Sequence, residues 1–213
     1  MYIHCMLRLS INPDSFSADD LFPAIRALHD CGVVVYPTET FYALGADPRL
    51  REAVERIYSI KRRPVDQAMP LIASDLAQVA EHVGSMTKLA EQLALRWWPG
   101  PLTLIIPASP HLCEDVHRST GKVAVRVPGD AIARALAREA GHPVTSTSAN
   151  LSGEPPPSTA DAVAGALGAE IDVLIDAGVT PGGLPSTIVD VTGSTPALVR
   201  EGAIAWERVL EFL

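Results

Sequence analysis

The sequence has little of what a metal site, a disulfide framework or a membrane span requires. Its 3 cysteines, Cys5, Cys31 and Cys113, are odd in number and far apart, and neither they nor the 6 histidines show metal-ligand spacing. No apolar run approaches the roughly 18 residues of a membrane span. The amino terminus also lacks the apolar segment of a signal peptide. We therefore expect reduced, structural cysteines and a cytoplasmic protein without membrane attachment.

The sequence also lacks the basic excess of a general polyanion-binding protein. Its formal net charge is -8, whereas domains that bind long nucleic acids usually carry a surplus of lysine and arginine. Basic residues are nevertheless concentrated in one interval, which holds 6 of the 17: Arg49, Arg51, Arg56, Lys61, Arg62 and Arg63. A local cationic patch on an acidic chain favours a small anion over a long one.

Familiar catalytic signatures are absent as well. The chain contains no Gly-x-Ser-x-Gly elbow, no phosphate loop with its lysine and no dinucleotide fingerprint. Its candidate site residues have cationic or hydroxyl side chains, and no catalytic nucleophile is evident. That mixture indicates a site that positions anionic substrates so that they react with each other, by proximity and charge stabilisation.

Length and composition predict one compact domain covering residues 1–213. Hydrophobic residues make up 47% of the chain and charged residues 20%, which is typical of a globular protein. Helical and strand patterns alternate along the chain, but the last strands, near residues 173–176, 186–191 and 197–200, follow each other without a helix. The prediction is therefore an α/β fold with a mixed sheet. The proline-rich residues 154–157 and the segment 178–185 are predicted to be mobile loops over a cleft.

A stretch at residues 33–45 changes from a buried strand into a polar loop. Val33 to Val35 form a β-branched run typical of a covered strand, and Pro37 ends regular pairing. Thr38 and Thr40 follow at the strand end, which is where ligands usually bind in α/β sheets. A strand followed by an ordinary polar turn explains this stretch equally well.

Three further segments carry candidate binding groups, each with a plainer alternative. Lys61 and Arg63 lie at the end of a predicted helix, where they could bind phosphate or form a solvated terminus. Residues 148–150 could contact a nucleotide or amino acid through small polar groups, or form a capped turn. Alternation in residues 122–127 places Arg126 away from a valine face. Surface ion pairs or turns would equally explain Arg126, Ser186 and Arg200.

Seven of these segments together resemble the Sua5/YrdC/YciO family, and they occur in family order. They are Tyr36-Pro-Thr-Glu-Thr40, Lys61-x-Arg63-Pro64, Trp98-Pro-Gly-Pro-Leu-Thr103, Val123-Ala-Val-Arg-Val-Pro128, Thr147-Ser-Ala-Asn-Leu-Ser-Gly153, Ser186-Thr-Ile-Val-Asp190 and Val199-Arg-Glu-Gly202. The resemblance implies a YrdC-like α/β fold, a twisted mixed β-sheet with flanking helices around a concave cationic cavity.

The same resemblance implies an activity and a set of site residues. The activity is that of a nucleotidyltransferase, an L-threonylcarbamoyladenylate synthase that combines L-threonine, bicarbonate or CO2 and ATP. Its product feeds the N6-threonylcarbamoyl modification of adenosine 37 in tRNA. The family pattern implies that threonine is bound by Thr38, Thr40, Arg126, Ser146 and Ser186. It implies that ATP is bound by Lys61, Arg63, Ser148, Asn150 and Arg200, with Lys61 and Arg63 acting in catalysis.

The resemblance also implies Mg2+ bound through the ATP phosphates, with no metal ligands identified in the chain. A downstream threonylcarbamoyl transferase complex is the implied protein partner, and direct binding of tRNA or RNA is left open. The loop Tyr42-Ala-Leu-Gly45 is closer to the YciO branch of the family. The alternative function is therefore a YciO-like nucleotide- or double-stranded-RNA-binding protein with little or no synthase activity.

Overall fold

The structure, a computed structural model, describes residues 6–62, 68–118 and 120–213. The strands are β1 (Leu7–Ser10), β2 (Val34–Tyr36), β3 (Ala43–Gly45), β4 (Leu71–Ile72), β5 (Leu102–Pro107), β6 (Lys122–Arg126), β7 (Val144–Thr145), β8 (Thr147–Ser148), β9 (Val173–Asp176), β10 (Thr187–Asp190) and β11 (Ala197–Arg200). The helices are α1 (Phe22–His29), α2 (Arg51–Lys61), α3 (Leu76–Gln78), α4 (Lys88–Trp97), α5 (Glu114–His117), α6 (Ala131–Glu139), α7 (Ala160–Leu167) and α8 (Trp206–Phe212). A 3-10 turn at Ala18–Leu21 precedes α1, and a π-helical turn at Val79–Val83 follows α3.

The strands form two mixed sheets. One has the order β1-β9-β2-β3-β8 and the other the order β11-β10-β5-β6-β4-β7. Each contains parallel pairs, such as β1 with β9 and β5 with β10, and antiparallel pairs, such as β2 with β3 and β5 with β6. The predicted mixed α/β fold is confirmed, and its strands divide between two sheets rather than one.

The chain passes from one sheet to the other within five residues. Val144–Thr145 pair with β4 in the six-stranded sheet, and Thr147–Ser148 pair with β3 in the five-stranded sheet. Ser146 lies between them, and its backbone N–H donates to Pro70 O at 2.7 Å. Residues 144–148 thus form a crossover that fixes the two sheets relative to each other.

The predicted buried strand at residues 33–35 is covered on both faces. Val33 and Val35 belong to one hydrophobic cluster, while Val34 and Tyr36 belong to the other. Successive side chains of a strand point to opposite faces. The alternate assignment therefore explains why this short segment is apolar at every position.

Polar residues define the helix ends as the sequence indicates. Ser17 N–H donates to the Asp20 carboxylate at 2.8 Å, half of a capping box before α1. The Asp130 carboxylate accepts from the Ala133 N–H at 2.8 Å and starts α6. α2 ends at Lys61, followed by Arg62 in the left-handed region with φ of 49°. Pro64, the predicted stop of that helix, lies outside the described residues.

Two observations concern the expected environment of the chain. Cys31 and Cys113 are both free thiols, while Cys5 lies outside the described residues. In the described ranges, each helix is too short or too polar to cross a bilayer.

Candidate active site

A cavity of about 550 Å³ is lined by residues from both sheets, a volume typical of a small-molecule site. The five-stranded sheet and its loops contribute Thr38, Thr40, Phe41, Tyr42, Ala43, Thr147 and Ser148. The six-stranded sheet and its neighbouring segments contribute Pro70, Leu71, Thr103, Ala124, Arg126, Pro185, Ser186, Ile188 and Arg200. Ala68 and Pro156 complete the lining together with Ser146, the residue between the two sheets. Among these residues the charged side chains are those of Arg126 and Arg200.

The loop after β2 has its own internal hydrogen bonds. The Thr38 hydroxyl accepts from the N–H groups of Thr40 and Phe41, each at 3.2 Å, and donates to Phe41 O at 2.7 Å. Thr38 is buried, so its hydroxyl mainly stabilises the turn. The Thr40 hydroxyl lies 3.2 Å from that of Thr38 and is more accessible. Of the two predicted threonines, Thr40 has the hydroxyl better placed to contact a ligand.

Both loops predicted to cover a cleft dock on residues 40–42. The Gly182 N–H donates to Thr40 O at 2.8 Å, and the Tyr42 N–H donates to Pro157 O at 3.0 Å. The Tyr42 hydroxyl donates to Gly178 O at 2.7 Å. Pro156 and Pro185 line the cavity. The predicted location of these loops is therefore observed, while their mobility stays a prediction.

Arg126 extends into the cavity from β6 and pairs with Glu39. Its position agrees with the predicted alternation, because Val123 and Val125 are buried in the core on the opposite face. Arg126 Nη1 donates to Glu39 Oε1. The other carboxylate oxygen, Oε2, is buried without a hydrogen-bond partner among the described residues. Glu39 also contributes to raising the pKa of Asp130, although burial is the larger cause.

Arg200 and Ser186 form a second polar group in the cavity lining. Arg200 Nε and Nη2 donate to Ser186 O at 3.2 and 2.8 Å, and Nη2 also donates to Ser186 Oγ at 3.2 Å. Burial lowers the pKa of the Arg200 guanidinium, and the positive charge of Arg126 lowers it further. Two arginines whose charges repel each other favour an anion that binds between them.

Ser146 and Ser148 line the floor of the cavity close to Tyr36. The Tyr36 hydroxyl is buried and donates to Thr145 O at 2.9 Å. Burial raises the pKa of Tyr36, and a hydrogen bond from Ser146 opposes that increase. Tyr36 therefore stays protonated and acts as a structural donor beneath the cavity.

Lys61 and Asn150 are placed together, but behind the cavity wall. The Lys61 ammonium is buried and donates to Ser148 O at 2.5 Å, Asn150 O at 2.8 Å and Asn150 Oδ1 at 3.2 Å. The Asn150 amide in turn donates to Leu151 O and Glu154 O at 2.9 and 2.6 Å. In this structure both predicted ATP ligands stabilise the loop that presents Ser148.

The basic interval is largely neutralised by neighbouring carboxylates. Its ion pairs are Arg49 with Asp47, Arg51 with Asp115 and Glu55, and Arg56 with Asp172. These three arginines are therefore paired, while the predicted cationic patch as a whole stays a prediction. Among the described residues, Arg126 of β6 and Arg200 of β11 bring positive charge to the cavity. Arg63, the remaining predicted catalytic residue, lies outside the described residues.

Sequence reasoning missed Glu39 and Thr103 as site residues. Glu39 lies between the two predicted threonines, yet its pairing with Arg126 joins positions 87 residues apart. Thr103 lines the cavity, and its hydroxyl donates to Ser186 Oγ at 2.8 Å. A usable signal existed for Thr103, because it alternates with the buried Leu102 and Leu104 along β5.

The described residues contain no group of three or more His, Cys, Asp or Glu side chains arranged to hold a metal ion. Mg2+ stays a prediction.

The two mixed sheets define an α/β protein with a cavity lined by hydroxyl and guanidinium groups. The sequence model of the family named Sua5/YciO/YrdC, described as "Telomere recombination", matches residues 26–202. The chain belongs to this family.

Comparisons with individual proteins agree with that assignment. The chain is 38% identical to the threonylcarbamoyl-AMP synthase of Bacillus subtilis strain 168 over 199 residues, which is 92% of the chain and 58% of that protein. It resembles the crystal structure of P. abyssi Sua5 complexed with L-threonine, with a TM-score of 0.89, 32% identity and coverage of 98% of the chain and 60% of the other. It also resembles the crystal structure of E. coli YciO, with a TM-score of 0.85, 29% identity and coverage of 94% and 97%. The chain thus spans less than two thirds of the length of the first two proteins.

Proposed function

We propose that the protein is a threonylcarbamoyl-AMP synthase, a nucleotidyltransferase that combines L-threonine, bicarbonate or CO2 and ATP. The observation that carries this proposal is the cavity in which Arg126 and Arg200 face several hydroxyl groups. The 38% identity to a B. subtilis protein of that name and the likeness to a Sua5 complexed with L-threonine support it. The product would serve N6-threonylcarbamoyl modification of tRNA in the cytoplasm, through a downstream transferase.

The proposed roles follow from charge and position. Arg126, paired with Glu39, would bind the threonine carboxylate together with Ser186, while Thr40 and Ser146 contact the remaining polar groups. Ser148 and Arg200, which also line the cavity, would contact ATP. Lys61 is now bonded to the backbone oxygens of Ser148 and Asn150, so a phosphate contact requires one of these bonds to exchange.

The chemistry needs positioning more than a protein nucleophile. The neutral threonine amine attacks CO2 and loses a proton, which gives a carbamate. A carbamate oxygen then attacks the α-phosphorus of ATP, and pyrophosphate leaves with the electrons of the broken P–O bond. Because two anions must approach each other, the cavity arginines reduce their repulsion and stabilise the developing charge. Mg2+ bound to the ATP phosphates would supply further charge neutralisation.

The second candidate is a YciO-like protein that binds a nucleotide or double-stranded RNA and makes little or no adenylate. The observations that favour it are the Tyr42-Ala-Leu-Gly45 sequence and the TM-score of 0.85 to E. coli YciO. Ala43 lies in β3, paired with Tyr36 and Ser148, so this alanine needs no left-handed backbone and introduces no strain there. The net charge of -8 argues against extended RNA as the main ligand.

One assay separates the two candidates. The purified protein is incubated with ATP, bicarbonate and L-threonine in the presence of Mg2+, and pyrophosphate is measured with and without each component. Release that depends on both L-threonine and bicarbonate supports the synthase. Background release alone, together with binding of a double-stranded RNA in a mobility-shift assay, would favour the second candidate.

Arg63→Ala gives a further test, because we propose that Arg63 contacts ATP. We expect turnover to be lost while the midpoint of thermal unfolding stays close to that of the wild type. Arg62→Ala is the matched control, since Arg62 is an exposed neighbour at the same helix end. A wild-type rate in Arg63→Ala would contradict the proposed contact of Arg63 with ATP and would favour the interpretation of this segment as a solvated helix terminus.

A further inference from the structure

The Ser186 hydroxyl has a fixed hydrogen-bonding direction in the cavity. A serine hydroxyl has one O–H donor and two acceptor lone pairs. The Thr103 hydroxyl donates to Ser186 Oγ at 2.8 Å, and Arg200 Nη2 donates to the same oxygen at 3.2 Å. Both lone pairs of Ser186 Oγ therefore accept hydrogen bonds from the protein. The Ser186 O–H remains to donate to a ligand.

The surroundings of Thr103 make this arrangement rigid. Thr103 is buried on β5, and its neighbour on β10, Ile188, pairs with it across the sheet. Ser186 immediately precedes β10, and Arg200 ends β11, which pairs with Ile188. Three adjacent strands of one sheet thus carry the three groups. A β-branched side chain such as Thr103 has few rotamers, so its hydroxyl is held in place by the sheet.

We propose that Thr103 is a positioning residue that fixes Ser186 as a hydrogen-bond donor, so that this part of the cavity selects a carboxylate oxygen. The inference rests on the proposed function, because the carboxylate in question is that of the amino-acid substrate. A ligand ammonium group at this point would meet the Ser186 O–H and the Arg200 guanidinium, which are donors themselves. A carboxylate, which only accepts, satisfies every one of them. Thr103 does not need to touch the ligand itself.

The test compares Thr103→Val, which removes the hydroxyl with little change of shape, with Thr103→Ser, which retains it. Dissociation constants of L-threonine are measured by titration calorimetry without ATP, and the KM values of L-threonine and ATP are measured where turnover is present. We expect Thr103→Val to weaken L-threonine binding about tenfold, the effect of losing roughly one hydrogen bond. The KM of ATP should stay within about twofold. Thr103→Ser should restore most of the L-threonine affinity.

L-Threoninol, in which a CH2OH group replaces the carboxylate, tests the selected chemistry directly. The wild type should prefer L-threonine to L-threoninol, and Thr103→Val should narrow that preference. Thr195→Val is the matched control, because Thr195 is an exposed threonine outside the cavity. A merely structural role of Thr103 would lower the midpoint of thermal unfolding and change both KM values without altering the preference.

The outcomes also distinguish this inference from the proposed function. Unchanged L-threonine affinity in Thr103→Val, or a Thr103→Ser variant as weak as Thr103→Val, would overturn the inference while wild-type turnover still supports the synthase. If the wild type binds L-threonine but releases no pyrophosphate, the proposed synthase activity is wrong. The role of Thr103 is then decided by the calorimetric affinities of the two Thr103 variants. A wild type that does not bind L-threonine overturns both.

Discussion

Glu39 is the residue that most directly controls the charge of the cavity. It neutralises Arg126, and its second carboxylate oxygen is buried without a hydrogen-bond partner in the described part of the chain. Without Glu39, the guanidinium groups of Arg126 and Arg200 would both line the cavity, and the described residues provide no other anion paired to either. The ion pair therefore keeps Arg126 oriented and lowers the repulsion between Arg126 and Arg200 before a ligand arrives.

Replacing Glu39 by alanine should destabilise the protein by about 2 kcal/mol, the usual contribution of a hydrogen bond to a charged group. Urea unfolding with and without L-threonine measures the change. The ligand should reduce the difference between variant and wild type, because its carboxylate replaces the missing anion. The exposed Glu139→Ala is the control, and equal stability of the two variants would contradict this role for Glu39.

At the residue scale, the sequence predicts side-chain direction better than it predicts partners. The alternation of residues 122–127 places Arg126 on the correct face, because a strand has a fixed period of two. Its partner Glu39 is 87 positions away, and only the paired sheets bring the two together. Lys61 was predicted from its charge at a helix end and from the family resemblance, whereas its burial against Asn150 depends on how the loop after β8 folds back over α2.

At the scale of elements, the end of α2 and the loop after β8 act as one unit. The Lys61 ammonium has three N–H donors, and three oxygens of Ser148 and Asn150 lie within hydrogen-bond distance of it. Ser152 N–H donates back to Lys61 O at 2.9 Å. The segment that presents Ser148 to the cavity is therefore held from behind by the helix.

Lys61→Met should destabilise the protein by about 2–3 kcal/mol, because it leaves buried carbonyl oxygens without a donor. The free energy of unfolding in urea measures this effect. Lys88→Met, at an exposed position at the start of α4, is the control. If Lys61→Met kept wild-type stability and lost only turnover, Lys61 would act on the substrate and not on the loop.

Two glycines give a matched pair of predictions about packing. A Cβ at Gly45 in β3 would lie 2.6 Å from Tyr36 Cε1 and 2.7 Å from Val144 Cγ1, whereas one at Gly165 in α7 would meet nothing within 4 Å. Gly45→Ala should therefore destabilise the protein by about 1–3 kcal/mol. Gly165→Ala should stabilise it by about 0.5–1 kcal/mol, because alanine is the better helix former. The midpoints of thermal unfolding of both variants show whether their stabilities change in opposite directions.

The predictability of elements depended on their length and pattern. Strands β9 and β11 match the predicted residues, and α2, α4 and α6 are within a few positions of them. β3 was predicted as part of a loop, since three residues ending in glycine show no periodicity. The seven-residue α8 was not predicted. The division into two sheets was missed because it depends on the crossover at Ser146, and no local pattern marks a strand that changes partners.

At the scale of the whole molecule, a buried group outside the cavity lining contributes to the pH dependence of stability. His142 Nδ1 lies 2.7 Å from Pro143 O, and its Nε2 lies 3.2 Å from Asp47 Oδ2. Arg49 pairs with the same carboxylate, and the ring of His29 is 5.7 Å from that of His142. Burial lowers the pKa of His142 and outweighs the attraction of Asp47. Although burial also opposes ionisation of Asp47, the hydrogen bonds from Arg49 keep the pKa of that carboxyl below its ordinary value.

Both shifts predict loss of stability in acid. Below the ordinary histidine pKa of 6.5, the unfolded chain binds a proton that the folded state disfavours. The free energy of unfolding therefore decreases as the pH is lowered. Asp47 adds a second loss below its ordinary value of 3.8. Urea unfolding between pH 8 and pH 5 should show the first decrease, and His142→Asn should flatten it. The exposed His111→Asn is the control, and a wild-type profile independent of pH would contradict the prediction.

The pairing of β1 with β9 determines when the cavity can exist during synthesis. Leu7 pairs with Val173, 166 positions later, and Arg200 follows on β11. At about 5–20 residues per second a ribosome needs about 8–33 s to add that many residues. Throughout that time the first strand lacks its partner, and the arginine that completes the cavity is not yet made. Ligand binding can therefore stabilise the protein only after Arg200 has been added, and a chaperone that shields β1 would act before any substrate could.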